Sequence, residues 1–139
     1  VNDLYEVRIQ LELLGASLAC THATDAELAQ LDARVDDMVE RAEILSSPER
    51  VALDLDFHFA ISALSGNHYL HRLFDNMQTE VRMFLALSED SYGDLKALAE
   101  THRPIAKAMM ARDVGAVEHA LRYHLETAKD HVRGLFTKP

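Results

Sequence analysis

Four side chains that can bind a metal occur at helical positions that are predicted to face the interior of the protein. Asp54 and His58 are four residues apart, so in a helix they lie on one face, about 6 Å apart along the axis. His102 and His124 each stand where the apolar periodicity of the segment would otherwise place a core leucine. The two apolar series are Leu95, Leu98, His102, Ile105, Met109 and Val117, Leu121, His124, Ala128, Val132, Leu135.

Burying these four groups without partners would cost several kcal/mol. The pattern therefore predicts that all four share one binding partner. A divalent cation would satisfy all four at once. Imidazole nitrogen and carboxylate oxygen suit zinc first, and also nickel, manganese, cobalt or iron. A divalent ion with a single carboxylate ligand keeps a positive charge, which favours an anionic ligand at any open position.

Other interpretations of these residues stay open. An Asp-x-x-x-His pair is often a surface ion pair, and a histidine in an apolar series is often a hydrogen-bonded core residue. Asp56 is a rival to Asp54, but it is two residues from His58, so the two side chains diverge around a helix. His71 is kept as a second candidate for the pocket.

The elements that carry these residues are all predicted to be helical, because glycine and proline are rare and period-two alternation is absent. We predict an all-α, mostly antiparallel bundle of about six helices with a metal and ligand cavity inside. The first helix, about 3–21, has the apolar stripe Leu4, Val7, Leu11, Leu14 and Leu18. The others are predicted at about 24–45, at 47–65, from Asn67 to the polar break at 88–93, from that break to Arg112, and from Asp113 to about 136.

Composition limits the function. The 139 residues fit one domain, and the formal charge of −9 disfavours DNA binding by this domain itself, which would rest on Lys and Arg. No apolar run approaches the roughly 20 residues of a membrane helix, and no secretory signal opens the chain. The lone Cys20 is expected to be a buried thiol in a reducing cytoplasm.

Several segments together resemble the FCD domain, the C-terminal sensing domain of the FadR branch of GntR-type bacterial transcription regulators. The resemblance covers nearly the whole chain, in order. The segments are LYEVR at 4–8, LE at 11–12, ASLAC at 16–20, DLDFH at 54–58, SGN at 65–67, THRPI at 101–105, Ala108, RD at 112–113 and RYHL at 122–125. A bundle of six rather than seven helices resembles the VanR-like subgroup.

This resemblance implies that residues 1–139 form an effector-binding domain. It implies a metal held by Asp54, His58, His102 and His124, beneath a pocket for a small organic acid. Arg8 would meet the carboxylate of the effector. Arg82 is a further effector-binding candidate from its position on the fourth predicted helix, with a surface arginine as the alternative.

The implied partners are a small carboxylate effector and a second copy of the chain. DNA would be bound through an N-terminal winged helix-turn-helix, which this chain lacks, so we expect an isolated domain without catalytic activity. The rival function is a metal-dependent hydrolase on a helical bundle, with Glu12 or Asp56 as its general base. A metal that only braces the bundle is a structural alternative.

Overall fold

The computed structural model describes residues 1–89 and 92–137, and this part of the chain is helical without strands. The all-α prediction is therefore confirmed. No helix in the described ranges is long and apolar enough to cross a membrane. The helices are α1 (Asn2–His22), α2 (Asp25–Arg41), α3 (Ser47–Leu64), α4 (His68–Asn76), α5 (Gln78–Glu89), α6 (Leu95–Glu100), α7 (Arg103–Met110) and α8 (Val114–Thr137).

Side-chain caps fix where several helices begin. Thr24 with Glu27 forms a capping box at α2, and Ser46 with Glu49 forms another at α3. Asn67 accepts from the Leu70 N–H at the start of α4. These caps satisfy backbone donors that the first turn of a helix would otherwise leave without partners.

Two of the six predicted helices are each divided into two. The fourth breaks at Met77, whose N–H bonds to the carbonyl of Phe74 three residues back, so the backbone tightens there. The fifth breaks at Thr101 and His102 because Pro104 has no N–H to continue the ladder and suits the start of a new helix. This second break places His102 at the N-terminal end of α7.

Helix α1 buries a different face from the one predicted. Val7 and Leu14 are 52% and 50% exposed, whereas the face with Tyr5, Arg8 and Glu12 is buried against α3 and α8. The prediction was wrong because it assigned the burial by hydrophobicity. The polar pair on this face, Arg8 and Glu12, is bonded to itself, and Glu12 also accepts a hydrogen bond from His58 on α3.

The C-terminal end of α1 is held by Arg112, in the turn between α7 and α8. Its guanidinium donates to the carbonyls of Cys20 and Ala23 and pairs with Asp25 at 3.0 Å. Arg112 adopts a φ of 54°, a left-handed conformation that is unfavourable for a residue with a Cβ. These hydrogen bonds therefore fix both the turn and the position of α8 relative to α1.

Candidate metal centre

The structure brings together the four residues proposed as metal ligands. The ligand atoms of His58, His102 and His124 all lie within 4.8 Å of one another. Asp54 Oδ1 lies 3.4 Å from His58 Nε2 and 3.3 Å from His102 Nε2. The set comes from α3, the junction of α6 and α7, and α8, so three separate parts of the bundle converge on one point.

Three of the converging atoms are buried without a hydrogen-bond partner. They are Asp54 Oδ1, His58 Nε2 and His102 Nε2. Asp54 Oδ1 lies 3.4 Å from His58 Nε2 and 3.3 Å from His102 Nε2, but these contacts do not have hydrogen-bond geometry. Buried polar atoms in proteins are nearly always satisfied, so a group of such atoms facing one another indicates a missing partner. A cation accepts electron pairs from all of them, so the donor set fits a metal ion.

The hydrogen bonds of the Nδ1 atoms leave the Nε2 lone pairs of the neutral His58 and His102 rings facing the candidate metal centre. His102 Nδ1 lies 3.0 Å from the carbonyl oxygen of Ala99, which can only accept, so Nδ1 carries the proton. His58 Nδ1 bonds to the carboxylate of Glu12 in the same way. In the neutral ring the second nitrogen is then free to bind a metal.

Glu12 is the functional residue whose role the sequence did not reveal. One of its oxygens accepts from His58 Nδ1, and the other accepts from Arg8 Nε at 2.6 Å. From the sequence, Glu12 was predicted only as a possible general base of a hydrolase. The signal that could have found this pair is the four-residue spacing of Arg8 and Glu12 on the helix face that also carries the small residues Ala16 and Ala19.

The electrostatics favour an ionised Asp54 and a neutral His124. At His58 burial alone would lower the pKa, but Glu12 and Asp54 outweigh it and raise that pKa, so a metal would displace a proton there. Burial alone would raise the pKa of Asp54, but His102 and His58 outweigh it and hold that pKa well below its usual range. Burial, together with the charges of His102 and His58, holds the pKa of His124 well below its usual range. The carboxylate is therefore ionised and the His124 imidazole is neutral.

A cavity of about 370 Å³ lies against the centre. Arg8, Asp54 and His124 are among the residues that line it, and Arg8 is the most buried of these three. Arg8 is only 1% exposed, and its Nη1 has no hydrogen-bond partner. The mouth carries exposed side chains, among them Tyr123 at 69%.

Three other candidates from the sequence lie away from this cavity. Arg82 is exposed on α5 and is not one of the described residues that line the cavity, so its proposed effector contact is not supported. Arg82 instead has the position of a surface arginine, which was the alternative given for it. His71 lies 2.8 Å from the Ser62 hydroxyl and packs on Phe59. Asp56 is exposed to solvent.

Comparison with known proteins gives consistent matches. A family model described as the FCD domain matches residues 3–127. The Nta operon transcriptional regulator of Aminobacter aminovorans is 39% identical over 58% of this chain and 38% of its own length. The HTH-type transcriptional regulator LutR of Bacillus subtilis is 29% identical over 98% of this chain and 64% of its own length.

A solved structure shows the same fold. A GntR-family transcriptional regulator from Pseudomonas syringae pv. tomato superposes with a TM-score of 0.79 at 25% identity, over 96% of this chain and 55% of that one. The chain therefore spans less than two thirds of the length of each of these relatives.

Proposed function

The chain belongs to the FCD domain family, and from this premise we propose that it senses a small carboxylate with the help of a bound divalent metal, within a GntR-type transcription regulator. One observation carries the proposal. Asp54 Oδ1, His58 Nε2 and His102 Nε2 are buried, face one another and lack partners beside a cavity that is lined in part by Arg8, whose Nη1 also lacks a partner.

In this proposal the metal is held by Asp54, His58, His102 and His124, and zinc is the first candidate. Nickel, manganese, cobalt or iron would suit the same ligands. When bound, the metal supplies a positive charge that attracts the carboxylate of an effector. Asp54 and His124 also line the cavity, so the metal site and the cavity are adjacent.

Arg8 is proposed to bind the effector carboxylate. Its Nε donates to Glu12, its Nη1 has no hydrogen-bond partner, and the residue lines the cavity. The bond to Glu12 also fixes the orientation of the guanidinium before any ligand arrives. A positioned guanidinium loses little conformational freedom on binding, which strengthens its contact with a carboxylate.

The hydrolase alternative is less well supported. Glu12 is engaged by both His58 and Arg8, so it is not free to accept a proton from water. Asp56, the other proposed base, is exposed and does not line the cavity. The curated relatives are named as transcription regulators, which are not enzymes.

For the whole protein we propose that DNA is bound by a winged helix-turn-helix outside residues 1–139. The strongly acidic chain is itself a poor match for the phosphate backbone. Effector binding can change operator affinity only if it favours one conformation of the regulator over another. The cavity, lined from α1, α3, α5 and α8, offers the effector contacts with several helices at once.

A second copy of the chain is the partner we propose for the exposed side of α1. Val7, Leu11, Leu14 and Leu18 alternate by four and three residues, the spacing of helices that pack along a shared seam. Leu14→Glu should shift the chain toward monomer in sedimentation experiments. Gln10→Glu, also exposed on α1, is the matched control. A wild-type chain that sediments as a monomer at high concentration would contradict this assembly.

Zinc titration of the metal-free chain tests the metal site. We expect one zinc ion per chain, and we expect His102→Ala to weaken binding strongly. The control is His68→Ala, which removes an exposed histidine on α4. If His102→Ala kept the zinc content and affinity of the wild-type chain, the ligand assignment would be wrong.

Thermal unfolding of the zinc-loaded chain with a broad panel of organic acids tests the sensing function. A ligand that binds the folded state raises the melting temperature. If no acid in the panel stabilises the chain, while zinc is retained, the metal only braces the bundle and the sensing proposal fails.

A further inference from the structure

We infer that the cavity beside the candidate metal centre binds a monocarboxylate with an apolar body, an inference that rests on the proposed function. Three features define this ligand class. The buried Arg8 supplies one cation, a set of aliphatic residues (the aliphatic belt) contributes to the lining, and several polar residues of the lining are exposed to solvent and mark the mouth of the cavity.

The fixed charges of the cavity match a single carboxylate. Arg8 is the one Arg or Lys among the described residues that line it. Glu89 also lines it, but this carboxylate is paired with Arg50 at 2.9 Å. Arg50 in turn donates to the backbone carbonyls of Ala42 and Leu45, so it is committed elsewhere. Glu12 counters the charge of Arg8, and Asp54 would leave a bound divalent metal with one positive charge, so one carboxylate neutralises the net charge of these groups and the metal. A second carboxylate inside the cavity would be buried without a counter-charge, which is strongly unfavourable.

Part of the cavity lining is suited to hydrocarbon. The aliphatic residues of the lining come from five helices, α3, α5, α6, α7 and α8, and they are Val51, Leu85, Leu98, Pro104, Ala120 and Ala128. Two polar residues of the lining, Ser88 and Tyr92, lie near His131. The ring of His131 is 4.9 Å from the ring of Tyr92. The hydroxyl groups of a sugar acid would thus meet few partners along the belt, and unpaired hydroxyls are costly to bury.

The mouth of the cavity leaves the end of the ligand opposite its carboxylate in contact with water. Thr101, His119, Tyr123 and Thr127 line the cavity and are exposed, so water can reach this end. A volume of about 370 Å³ lies at the lower end of the roughly 300–1,000 Å³ found for small-molecule sites. Both features favour a short acid whose carboxylate enters first.

Calorimetric titration of the zinc-loaded chain with four ligands of six carbons tests the inference. Hexanoate has one carboxylate and an apolar chain, adipate adds a second carboxylate, gluconate adds hydroxyls, and hexanamide removes the charge. We expect hexanoate to bind at least about tenfold more tightly than each of the other three. Butyrate should bind about 16-fold more weakly than hexanoate, because each buried methylene contributes about fourfold.

The outcomes separate this inference from the proposed function. If gluconate or adipate binds as tightly as hexanoate, the ligand class is wrong but the chain still senses acids. If hexanamide binds as tightly as hexanoate, the cavity is apolar but does not recognise a carboxylate, and the inference fails. If none of the acids binds, here or in the broad panel, the proposed function fails as well.

A pair of variants on α8 locates the binding in this cavity. Ala128→Leu adds bulk to the aliphatic belt, whereas Ala116→Leu adds the same bulk at an exposed position of the same helix. We expect the first to weaken hexanoate at least about tenfold while zinc content is unchanged, and the second to leave both unchanged. Equal hexanoate affinity in the two variants would place the ligand elsewhere and overturn the inference.

Discussion

Replacing Glu12 by glutamine tests how the chain prepares a metal ligand. In the native chain both oxygens of Glu12 accept, one from His58 Nδ1 and one from Arg8 Nε. Glutamine has nearly the same shape but only one accepting oxygen. If its NH₂ group faces His58, the proton must move from Nδ1 to Nε2, which removes the lone pair that a metal needs. If it faces Arg8, two donors oppose each other in a buried site.

Both arrangements have a cost that the structure allows us to scale. Arg8 and Glu12 are 1% and 3% exposed, so the variant leaves a buried guanidinium without its counter-charge. Removing one partner of a buried ion pair costs about 3–5 kcal/mol of unfolding free energy. Losing the hydrogen bond behind a metal-binding histidine costs about 10- to 100-fold in metal affinity, or about 1.4–2.7 kcal/mol.

Two measurements separate these effects. Urea unfolding of the metal-free chain reports the first, and competition between the chain and a zinc indicator reports the second. Glu6→Gln, at an exposed position on the same helix, controls for the loss of one negative charge. Zinc affinity of Glu12→Gln within about threefold of wild type would refute the argument that Glu12 orients His58.

Metal removal and two other changes test further parts of the structure. Removing zinc with a chelator should lower the urea midpoint, because a ligand at 100 times its Kd stabilises the folded state by about 2.7 kcal/mol, and an unchanged midpoint would argue against tight binding. Arg112→Gly should be about 1 kcal/mol more stable than Arg112→Ala in urea, because both lose the bonds to Cys20 and Ala23 but glycine tolerates the φ of 54°. An equal or reversed order would refute the strain. Leu121→Ala, in the core of α8, should cost about 2–5 kcal/mol and still bind one zinc per chain, whereas loss of zinc would show that the site is not independent of that packing.

Periodicity was sufficient for the all-helical fold and for the inward position of three of the proposed ligands. His58 and His124 lie on inward sides of α3 and α8, and His102, at the junction of α6 and α7, continues an apolar series. Breaks inside helices were harder to predict. A proline such as Pro104 is tolerated at the start of a helix as well as within a kink, so one sequence fits a continuous helix and a divided one. Only the packing of α6 and α7 against α2 distinguishes them.

Helix α1 shows why the remaining part of the site was not predictable. A search for the apolar face selects Val7 and Leu14, because burial of hydrocarbon is the dominant average driving force. The buried face instead carries Arg8 and Glu12, which pair with each other, and Glu12 also accepts from His58 on another helix. That partner is 46 residues away from Glu12, so no local pattern reports it. A helix that buries an arginine and a glutamate while it exposes Val7 and Leu14 departs from the usual rule, and such departures are expected where a chain positions groups for a ligand.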